Sequence, residues 1–461
     1  MKKLKTLFLL AVLPLMASAY DAKINGIYYD FDKTYNTASV TNNGTNTYSG
    51  AIVIPSTVTY GGITYTVTKI DDAFFACKYL TSVIIPSSVT EIASPSFYHC
   101  SSLTTIIVEG GNTVYDSRDN CNAIIETATG TLIAGCKKSV IPDGVITIKE
   151  YVFEECSGLT SVTIPNSVTE IGRGAFSRCT DLESVTMGKS VTTIGDYAFS
   201  GCTILQSIKI PNSVTEIGSS AFSGCTGLTE ATIGNGVTTI GSSAFEECSS
   251  LTEIRIPSKV TTINSSTFAN CSSMKTITIP NRVTSIGTSS FYKNTSLLDV
   301  YCYAEQVPNT KWDSFSGSNN ANVTLHVPEA SLASYKSIAG SMFGNIVALD
   351  IPYEKCATPT ITYVDGKVVF DCETEGVSYV ANVTCLTSGE GDHDVSSISL
   401  TATYMVTVYA TRDGYLDSNV AAKEINVSGA GAGGIRGDVN EDGEVNVGDI
   451  VVISNIMSGN E

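Results

Sequence analysis

The chain has 461 residues, of which 43% are hydrophobic and 16% are charged, and its formal net charge at pH 7 is −18. This length allows about three domains, and the hydrophobic content excludes a chain that is disordered throughout. The negative charge repels phosphate groups, which argues against nucleic acid and anionic lipid as partners.

The N-terminal residues predict export. A lysine-rich start precedes an apolar run from Leu7 to Met16, and Ala17-Ser18-Ala19 supplies the small residues that signal peptidase requires. We therefore expect residues 1–19 to be a signal peptide and the mature chain to begin at Tyr20. The apolar run is about half of the roughly 20 residues that a membrane-spanning helix needs. Because no second apolar run follows it, we expect no transmembrane span in the mature chain and a location outside the cell or on its outer surface.

A 23-residue unit repeats from residue 68 to residue 297. Each unit carries an apolar strand, Ser-Val-Thr-x-Ile-Gly, Ala-Phe, two spacers, Cys, two spacers and Leu. The phenylalanines that lie one period apart are Phe74 and Phe97, and then Phe153, Phe176, Phe199, Phe222, Phe245, Phe268 and Phe291. A fixed period of this length with a Leu-x-x-Val-x-Ile strand is a leucine-rich-repeat signature. A unit this short cannot bury its apolar side alone, so the predicted fold class is a mainly β solenoid of stacked rungs with short turns and helices.

The repeat weakens at both ends. After Leu297 the pattern decays, and residues 298–356, which include a helix candidate from Ser331 to Ala339, are predicted to cap the C-terminal end of the solenoid. Residues 20–67 are rich in strand-forming side chains and are predicted to cap the other end.

One interruption separates Phe97 from Phe153, because these two phenylalanines are 56 residues apart instead of one period. The sequence predicts an enlarged rung at about residues 104–150. Within it, Ala123 to Thr127 and Thr131 to Gly135 are predicted to form two strands about a Gly-containing turn. Such an insertion can carry binding residues or can be a structural addition, and the sequence leaves both interpretations open.

Eight cysteines occupy the same position in each rung, three residues before the first apolar residue of the strand. We expect buried free thiols there, because a small apolar side chain completes the core column. The alternative is disulfides between neighbouring rungs, whose spacing of about 4.8 Å lies within the range that a disulfide tolerates. Cys372 and Cys385 lie in a different region, where a pair is possible but nothing in the sequence shows it.

The third and fifth residues of each strand are predicted to point away from the core, because side chains alternate along a strand. In rung order they are Ser161 and Thr163, Ser184 and Thr186, Ser207 and Lys209, Glu230 and Thr232, Glu253 and Arg255, and Thr276 and Thr278. Those from Ser184 to Arg255 are the candidate ligand-binding residues. A regular hydroxyl-rich face suits an extended ligand, and it equally suits plain solvation of a sheet.

Three further segments follow the repeats. Residues 357–428 contain short alternating strands separated by turn residues and are predicted to form a small β-sandwich. Residues 429–435 are rich in Gly and Ala and are predicted to be a flexible linker. Residues 436–461 contain the one motif with explicit chemistry.

That motif is a calcium loop. Oxygen ligands occur at loop positions 1, 3, 5, 9 and 12, Gly443 stands at position 6 for the sharp turn, and position 7 supplies its backbone carbonyl. The predicted metal residues are Asp438, Asn440, Asp442, Glu444, Asn446 and Asp449. The cofactor they predict is Ca²⁺, and a short helix from Ile450 to Met457 is expected after the loop.

Nothing in the sequence predicts catalysis. The three histidines, His99, His326 and His393, lie in different regions, so they indicate neither a metal site nor a catalytic triad. Acidic residues are abundant, but abundance does not identify a pair of catalytic carboxylates.

Residues 68–297 resemble the BspA-like leucine-rich repeats of bacterial surface proteins. The pattern Ile-Pro-x-Ser-Val-Thr-x-Ile-Gly-x-x-Ala-Phe-x-x-Cys-x-x-Leu is matched in residues 164–182. This resemblance implies a secreted or surface-exposed, non-catalytic protein that binds host matrix proteins or other cells.

The calcium loop resembles a dockerin repeat, which shares Asp-x-Asn-x-Asp-Gly at its start and Asp at position 12. Dockerins imply calcium-dependent docking to a cohesin, often among polysaccharide-degrading enzymes. A dockerin has two such loops and this chain shows one, and Val447 and Gly448 stand where dockerins place their partner-reading pair. Two functions therefore stay open: an extracellular module for adhesion or protein recognition, and a non-catalytic component of a glycan-binding or glycan-degrading assembly recruited by this tail.

Overall fold

The computed structural model describes residues 20–44, 47–310, 313–318, 320–349, 358–364, 367–371, 378–385, 401–411 and 421–428. The predicted signal peptide, the 429–435 linker and the calcium loop lie outside the described residues, as do Cys372 and His393.

Each rung folds from its sequence in the same way, as residues 161–179 illustrate. In Ser161–Thr163 the central valine faces the core, and Pro165, which has no backbone N–H to donate, ends the strand shortly afterwards. A tight turn then leads to Glu170–Ile171, whose Ile171 is fully buried. A second turn places Phe176 and Cys179 in the core before the next long strand begins.

The first strand of each rung belongs to the long-strand ladder, which in chain order comprises Ser49–Val53, Tyr79–Ile85, Thr105–Val108, Ser161–Thr163, Ser184–Thr186, Ser207–Ile210, Glu230–Ile233, Glu253–Arg255, Thr276–Ile279, Asp299–Cys302, Thr324–Val327 and Asn345–Ala348. The strands pair in parallel in four consecutive sheets, with breaks after Thr105–Val108, Ser184–Thr186 and Glu230–Ile233. In the regular rungs partners lie one 23-residue unit apart, as for Ser161 and Ser184.

The second strand of each rung belongs to the short-strand ladder, which comprises Thr37–Thr41, Ile63–Ile70, Glu91–Ile92, Thr147–Ile148, Glu170–Ile171, Thr193–Ile194, Glu216–Ile217, Thr239–Ile240, Thr262–Ile263, Ser285–Ile286 and Asn309–Thr310. Consecutive strands also pair in parallel, except across the insertion, between Glu91–Ile92 and Thr147–Ile148, and between Thr239–Ile240 and Thr262–Ile263. Glycine follows five of these strands, and the backbones of neighbouring rungs approach closely there, because a Cβ on Gly195 would lie 2.8 Å from the Arg173 backbone nitrogen of the preceding rung.

Stacked phenylalanine rings form the centre of the core. From Phe153 to Phe291, neighbouring ring centroids are 5.0 to 5.8 Å apart and the rings are nearly parallel. The stack continues to Phe315, and a separate stacked pair joins Phe74 and Phe97. Because each ring has a ring of the next rung as its neighbour, burial depends on stacking rather than on contacts within one unit.

In the regular rungs, two residues of each turn adopt the left-handed backbone conformation. In one rung they are Tyr197 (φ 56°) and Gly201 (φ 73°), and two rungs later they are Ser243 (φ 57°) and Glu247 (φ 61°). The conformation bends the chain sharply enough to return it to the core, and the sequence supplies glycine for it in only some rungs.

The N-terminal end is a sheet that continues into the short-strand ladder. Ala22–Ile24, Ile27–Asp32 and Thr57–Tyr60 join the first strands of that ladder. Both ladders therefore begin before residue 68, since Ser49–Val53 and Thr37–Thr41 already pair in parallel with the strands that follow.

The C-terminal end also continues the ladders beyond residue 297. Val300, Leu325 and Ile346 face inward as in the regular rungs, so three more long strands pair in parallel. The helix predicted at Ser331 to Ala339 is present as Leu332–Ala339, preceded by the 3-10 turn Glu329–Ser331. The two other 3-10 turns outside the insertion are Ser94–Phe97 and Asn320–Asn322.

The insertion contains the predicted hairpin. Ile124–Glu126 pairs antiparallel with Thr131–Ala134, and Tyr115–Asp116 adds a third strand after which comes the 3-10 turn Arg118–Asn120. The Thr131–Ala134 strand then pairs in parallel with Thr147–Ile148, which connects the hairpin to the short-strand ladder.

The later region contains the hairpin Thr360–Val364 and Lys367–Asp371 and the antiparallel sheet Ser378–Cys385, Thr401–Thr411 and Ala421–Ser428. The Lys423 ammonium donates to the Ile361 carbonyl at 2.9 Å, which joins the first strand to the last. The packing of these strands into a β-sandwich stays a prediction.

Candidate binding face

The long-strand ladder exposes two side chains per rung on its outer surface. Ser207 and Lys209 are exposed, whereas Ile208 between them is 2% exposed. All eight candidate residues are exposed: Ser184, Thr186, Ser207, Lys209, Glu230, Thr232, Glu253 and Arg255. The structure therefore places them on one face, hereafter the outer face.

The strand register aligns these side chains in two columns. Ser207 pairs with Glu230, and Lys209 pairs with Thr232 in the next rung. Neighbouring residues of one column are thus about 4.8 Å apart, and the two columns lie roughly 7 Å from each other along the strand. We call them the third-position column and the fifth-position column.

The hydroxyl groups of the outer face differ from those elsewhere on the solenoid. Beside the short-strand ladder, hydroxyls bond to the preceding rung, as when Thr192 Oγ1 donates to the Thr169 carbonyl at 3.0 Å. Within the described part of the chain, no protein hydrogen-bond partner is present for the hydroxyls of Ser184, Thr186, Ser207 and Thr232. These four hydroxyls are available to water or to a ligand.

Charge on the outer face is separated by column. Glu230 and Glu253 are neighbours in the third-position column, while Lys209 and Arg255 lie in the fifth-position column. A partner that crosses both columns therefore meets acidic groups on one side and basic groups on the other.

The columns extend beyond the residues that the sequence pattern identified. At the N-terminal end the fifth-position column is aliphatic, because Val53 pairs with Ile84 and Ile84 pairs with Ile107. Val53 is 59% exposed and Ile107 is 42% exposed. The outer face thus changes from aliphatic to hydroxyl-bearing along the solenoid.

At the C-terminal end the outer face carries Asp299, Tyr301 and His326. His326 Nε2 lies 2.9 Å from Asp299 Oδ1, and its ring stacks on Tyr301 with centroids 4.4 Å apart. Counting third and fifth positions through the weakened repeats would have found these residues.

The insertion is packed inside the solenoid rather than projecting from it. Ile124, Ile125 and Leu132 are fully buried, and Ala134 is 2% exposed. This burial favours the structural interpretation of the hairpin over the interpretation of a free binding loop.

The rung cysteines are free thiols, as predicted, and all except the partly buried Cys100 are buried. Most of them donate to a phenylalanine carbonyl of the preceding rung, as Cys225 Sγ does to Phe199 at 3.2 Å. Burial raises the pKa of the Cys225 thiol to about 12, so it stays protonated near neutral pH.

His99 contacts two carboxylates that follow the insertion in the chain. Its ring lies between Glu154 and Glu155, and the residue itself has a left-handed backbone with φ 60°. The sequence could not place these carboxylates beside it, because the whole insertion intervenes between them and His99.

Among the described residues, no group of three or more His, Cys, Asp or Glu side chains is arranged to hold a metal ion. The predicted calcium ligands Asp438 to Asp449 lie outside that part of the chain. None of the helices in the described segments combines the length and apolar character needed to cross a bilayer.

Stacked parallel strands, a 23-residue unit and stacked apolar side chains in the core define a leucine-rich-repeat solenoid protein. The chain matches the family model for the BspA type leucine rich repeat region over residues 31–124, 134–240 and 215–346. Because these segments cover more than half of its length, the chain belongs to the BspA-type leucine-rich repeat family.

A search of curated proteins finds no match. Among solved structures, a leucine-rich repeat protein from Eubacterium ventriosum is 24% identical, with 58% of this chain and 64% of that chain covered and a TM-score of 0.47. This chain thus spans less than two thirds of that protein. A leucine rich cell surface protein from Faecalibacterium prausnitzii is 26% identical, with 72% and 95% covered and a TM-score of 0.36. The pneumococcal vaccine antigen PcpA is 15% identical, with 72% and 98% covered and a TM-score of 0.37.

Proposed function

We propose that this chain is an exported, non-catalytic recognition protein whose outer face binds an extracellular protein such as a host-matrix component. The observation that carries the proposal is the set of unpartnered hydroxyls at Ser184, Thr186, Ser207 and Thr232, aligned in two columns. Polar groups held at fixed spacing on a rigid sheet bind a ligand at little cost in conformational entropy.

The test compares charge added to the outer face with equal charge added elsewhere. Ser184→Glu with Ser207→Glu places glutamate where Glu230 already stands in the same column, so the fold should accept it. Thr193→Glu with Thr239→Glu places the same charge in the short-strand ladder, where Glu216 already stands. Surface plasmon resonance against immobilised fibronectin, fibrinogen and laminin would measure the affinities.

We expect the outer-face variant to lose at least about tenfold in affinity for the bound matrix protein, because the two glutamates remove hydroxyls that the proposal assigns to the ligand and add charges that must lose water on binding. The short-strand variant should bind as the natural chain does. Equal affinity of both variants, or no binding to any of the matrix proteins, would contradict the proposal.

The second candidate function is a non-catalytic component of a glycan-handling assembly, and the predicted calcium loop favours it. We propose that Asp438, Asn440, Asp442, Glu444, Asn446 and Asp449 bind Ca²⁺ and that the loop docks a cohesin-like partner. Binding of the full chain to soluble glycans, or to a cohesin in calcium but not in chelator, would support this candidate over matrix binding.

The calcium proposal has its own measurement. Isothermal titration of the mature chain with CaCl₂ should give binding heat that disappears in Asp438→Ala with Asp442→Ala, because these residues supply loop positions 1 and 5. Asp413→Ala with Asp417→Ala, outside the loop, removes the same charge and is the matched control. Heat that is unchanged in the loop variant would end the claim.

We also propose that the protein is exported with cleavage before Tyr20. N-terminal sequencing of the exported protein should begin at Tyr20. A start at Met1 on exported material would contradict a cleaved signal peptide.

A further inference from the structure

The insertion divides the solenoid core into two clusters of buried side chains. Ile124 and Ala134 of the hairpin pack in the N-terminal cluster, whereas Ile125 and Leu132 pack in the C-terminal cluster. The hairpin therefore separates two stacks of rungs, one before the insertion and one after it. We call the boundary between them, where residues 94–99 face residues 150–155, the junction.

At the turns that follow the short strands, the junction lacks the backbone hydrogen bonds that join the turns of regular rungs. Between regular rungs, backbone hydrogen bonds connect the turns, as from Phe153 N to the Ala175 carbonyl at 2.8 Å. Residues 94–99 and 150–155 are all described, and no backbone-to-backbone hydrogen bond joins these two turns. Side chains connect them instead.

Two side chains of the first turn reach the second. Tyr98 Oη donates to the Glu150 carbonyl at 3.0 Å, and the Tyr98 ring contacts Tyr151 at 5.4 Å between centroids. His99 Nδ1 lies 3.1 Å from Glu155 Oε2, and His99 Nε2 lies 3.6 Å from Glu154 Oε2. One imidazole thus faces two consecutive carboxylates across the junction.

The two carboxyls that face His99 differ in their surroundings. Burial raises the pKa of Glu154. Burial also acts to raise the pKa of Glu155, but Arg178, 3.1 Å away, and His99 outweigh it and hold that pKa below its usual range. The preceding turn contributes the edge of Phe75 and ends at Lys78. Glu155 therefore has the lower pKa of the two carboxyls, and it also lies closer to the imidazole.

We propose that His99 is a protonation-dependent latch that closes the junction between the two stacks. Histidine side chains change charge between about pH 5 and about pH 8. When charged, His99 is attracted to Glu155 and the two turns are held together; when neutral, it retains a hydrogen bond and loses the ionic attraction. The junction opens locally more often as the pH rises.

Hydrogen exchange of the mature chain, followed by mass spectrometry and corrected for the intrinsic pH dependence of exchange, tests this latch. Protection of residues 94–100 and 150–156 should fall about two- to fivefold between about pH 5 and about pH 8, the range expected for a partly exposed ion pair. Protection of regular turns such as residues 220–225 should change less.

His99→Asn should remove the pH dependence at the junction. Asn270 holds the same turn position with φ 60°, so asparagine fits the backbone there. Lys293→Asn makes the equivalent change in a regular rung and should leave the junction unaffected. Glu154→Gln with Glu155→Gln is the second variant, and it should also remove the dependence while keeping the imidazole.

Two results would overturn the latch. One is a natural chain whose junction protection does not change with pH. The other is a His99→Asn or double-glutamine variant that keeps the pH dependence of the natural chain.

Discussion

Phe153 places its ring against the backbone of Gly135, the residue that closes the phenylalanine stack at the insertion. A Cβ added to Gly135 would overlap the Phe153 ring. The stack is broken between Phe97 and Phe153, and the glycine lets a backbone segment lie against the first ring of the C-terminal stack.

Gly135→Ala should therefore lower the free energy of unfolding by about 1–3 kcal/mol, because an added methyl group forces the ring from its position. Gly110→Ala is the control, since no atom lies within 4 Å of a Cβ there and its φ is not positive. Combining Gly135→Ala with Phe153→Leu should cost less than the sum of the two changes, because the smaller side chain leaves room. Strict additivity in urea denaturation would count against direct contact.

The side-chain amide of Asn122 makes the hydrogen bonds that a neighbouring strand would make at the edge of Thr105–Val108. Its Oδ1 accepts the Ile106 N–H at 2.8 Å and its Nδ2 donates to the Thr104 carbonyl at 2.7 Å. Asn122→Gly removes both bonds without straining the left-handed backbone, so we expect a loss of about 2–4 kcal/mol from two unpaired backbone groups. The exposed Asn120, also left-handed, gives the matched control Asn120→Gly, which should change stability little. Equal effects of the two substitutions in thermal denaturation would show that the amide bonds contribute nothing.

The buried thiols predict alkaline lability. The Cys225 pKa is raised from 9.0 to about 12 by burial. In the unfolded chain the thiol ionises first, so its contribution to stability is complete below about pH 9 and is lost as the pH rises toward the folded pKa. Each such thiol should cost about 1.4 kcal/mol per pH unit in that range. Cys225→Ala should make the dependence shallower by one proton in urea denaturation under reducing conditions, and an unchanged slope would contradict the assignment.

Alanine should have different effects at one turn position in two adjacent rungs. Gly224 (φ 73°) and Glu247 (φ 61°) both precede the rung cysteine in the left-handed conformation. Gly224→Ala should destabilise the chain by about 1 kcal/mol, because a side chain there meets the strain that glycine avoids. Glu247→Ala keeps a Cβ that is already present and should shift the melting temperature little. A larger loss at Glu247 than at Gly224 would reject this explanation.

The sequence was sufficient to predict which residues lie on the outer face, because it contains two regular periods. The 23-residue unit fixes which residues become neighbours between rungs, and the alternation of a strand fixes which of them point outward. Ser184 and Thr186 could thus be placed on the surface, and the rung cysteines in the core, from the spacing of the sequence alone.

The structure of the solenoid ends was harder to predict from the sequence, because the repeat period changes there. Phe315 follows Phe291 by 24 residues rather than 23, and the inward residues of these rungs are less uniform. The ladders nevertheless continue, since parallel pairing needs only an inward apolar residue in each strand. Asp299, Tyr301 and His326 were therefore assigned to a cap by the sequence and to the outer face by the structure.

The repeat by itself determined the solenoid, its buried thiols and the two outward columns, because these follow from local spacing and from stacking identical units. Only the tertiary structure decided which contacts the insertion makes with the rungs on either side of it. The pairing of His99 with Glu155, of Asn122 with Ile106 and of Gly135 with Phe153 depends on how a non-repeating segment folds back between two stacks, and no period in the chain encodes that path.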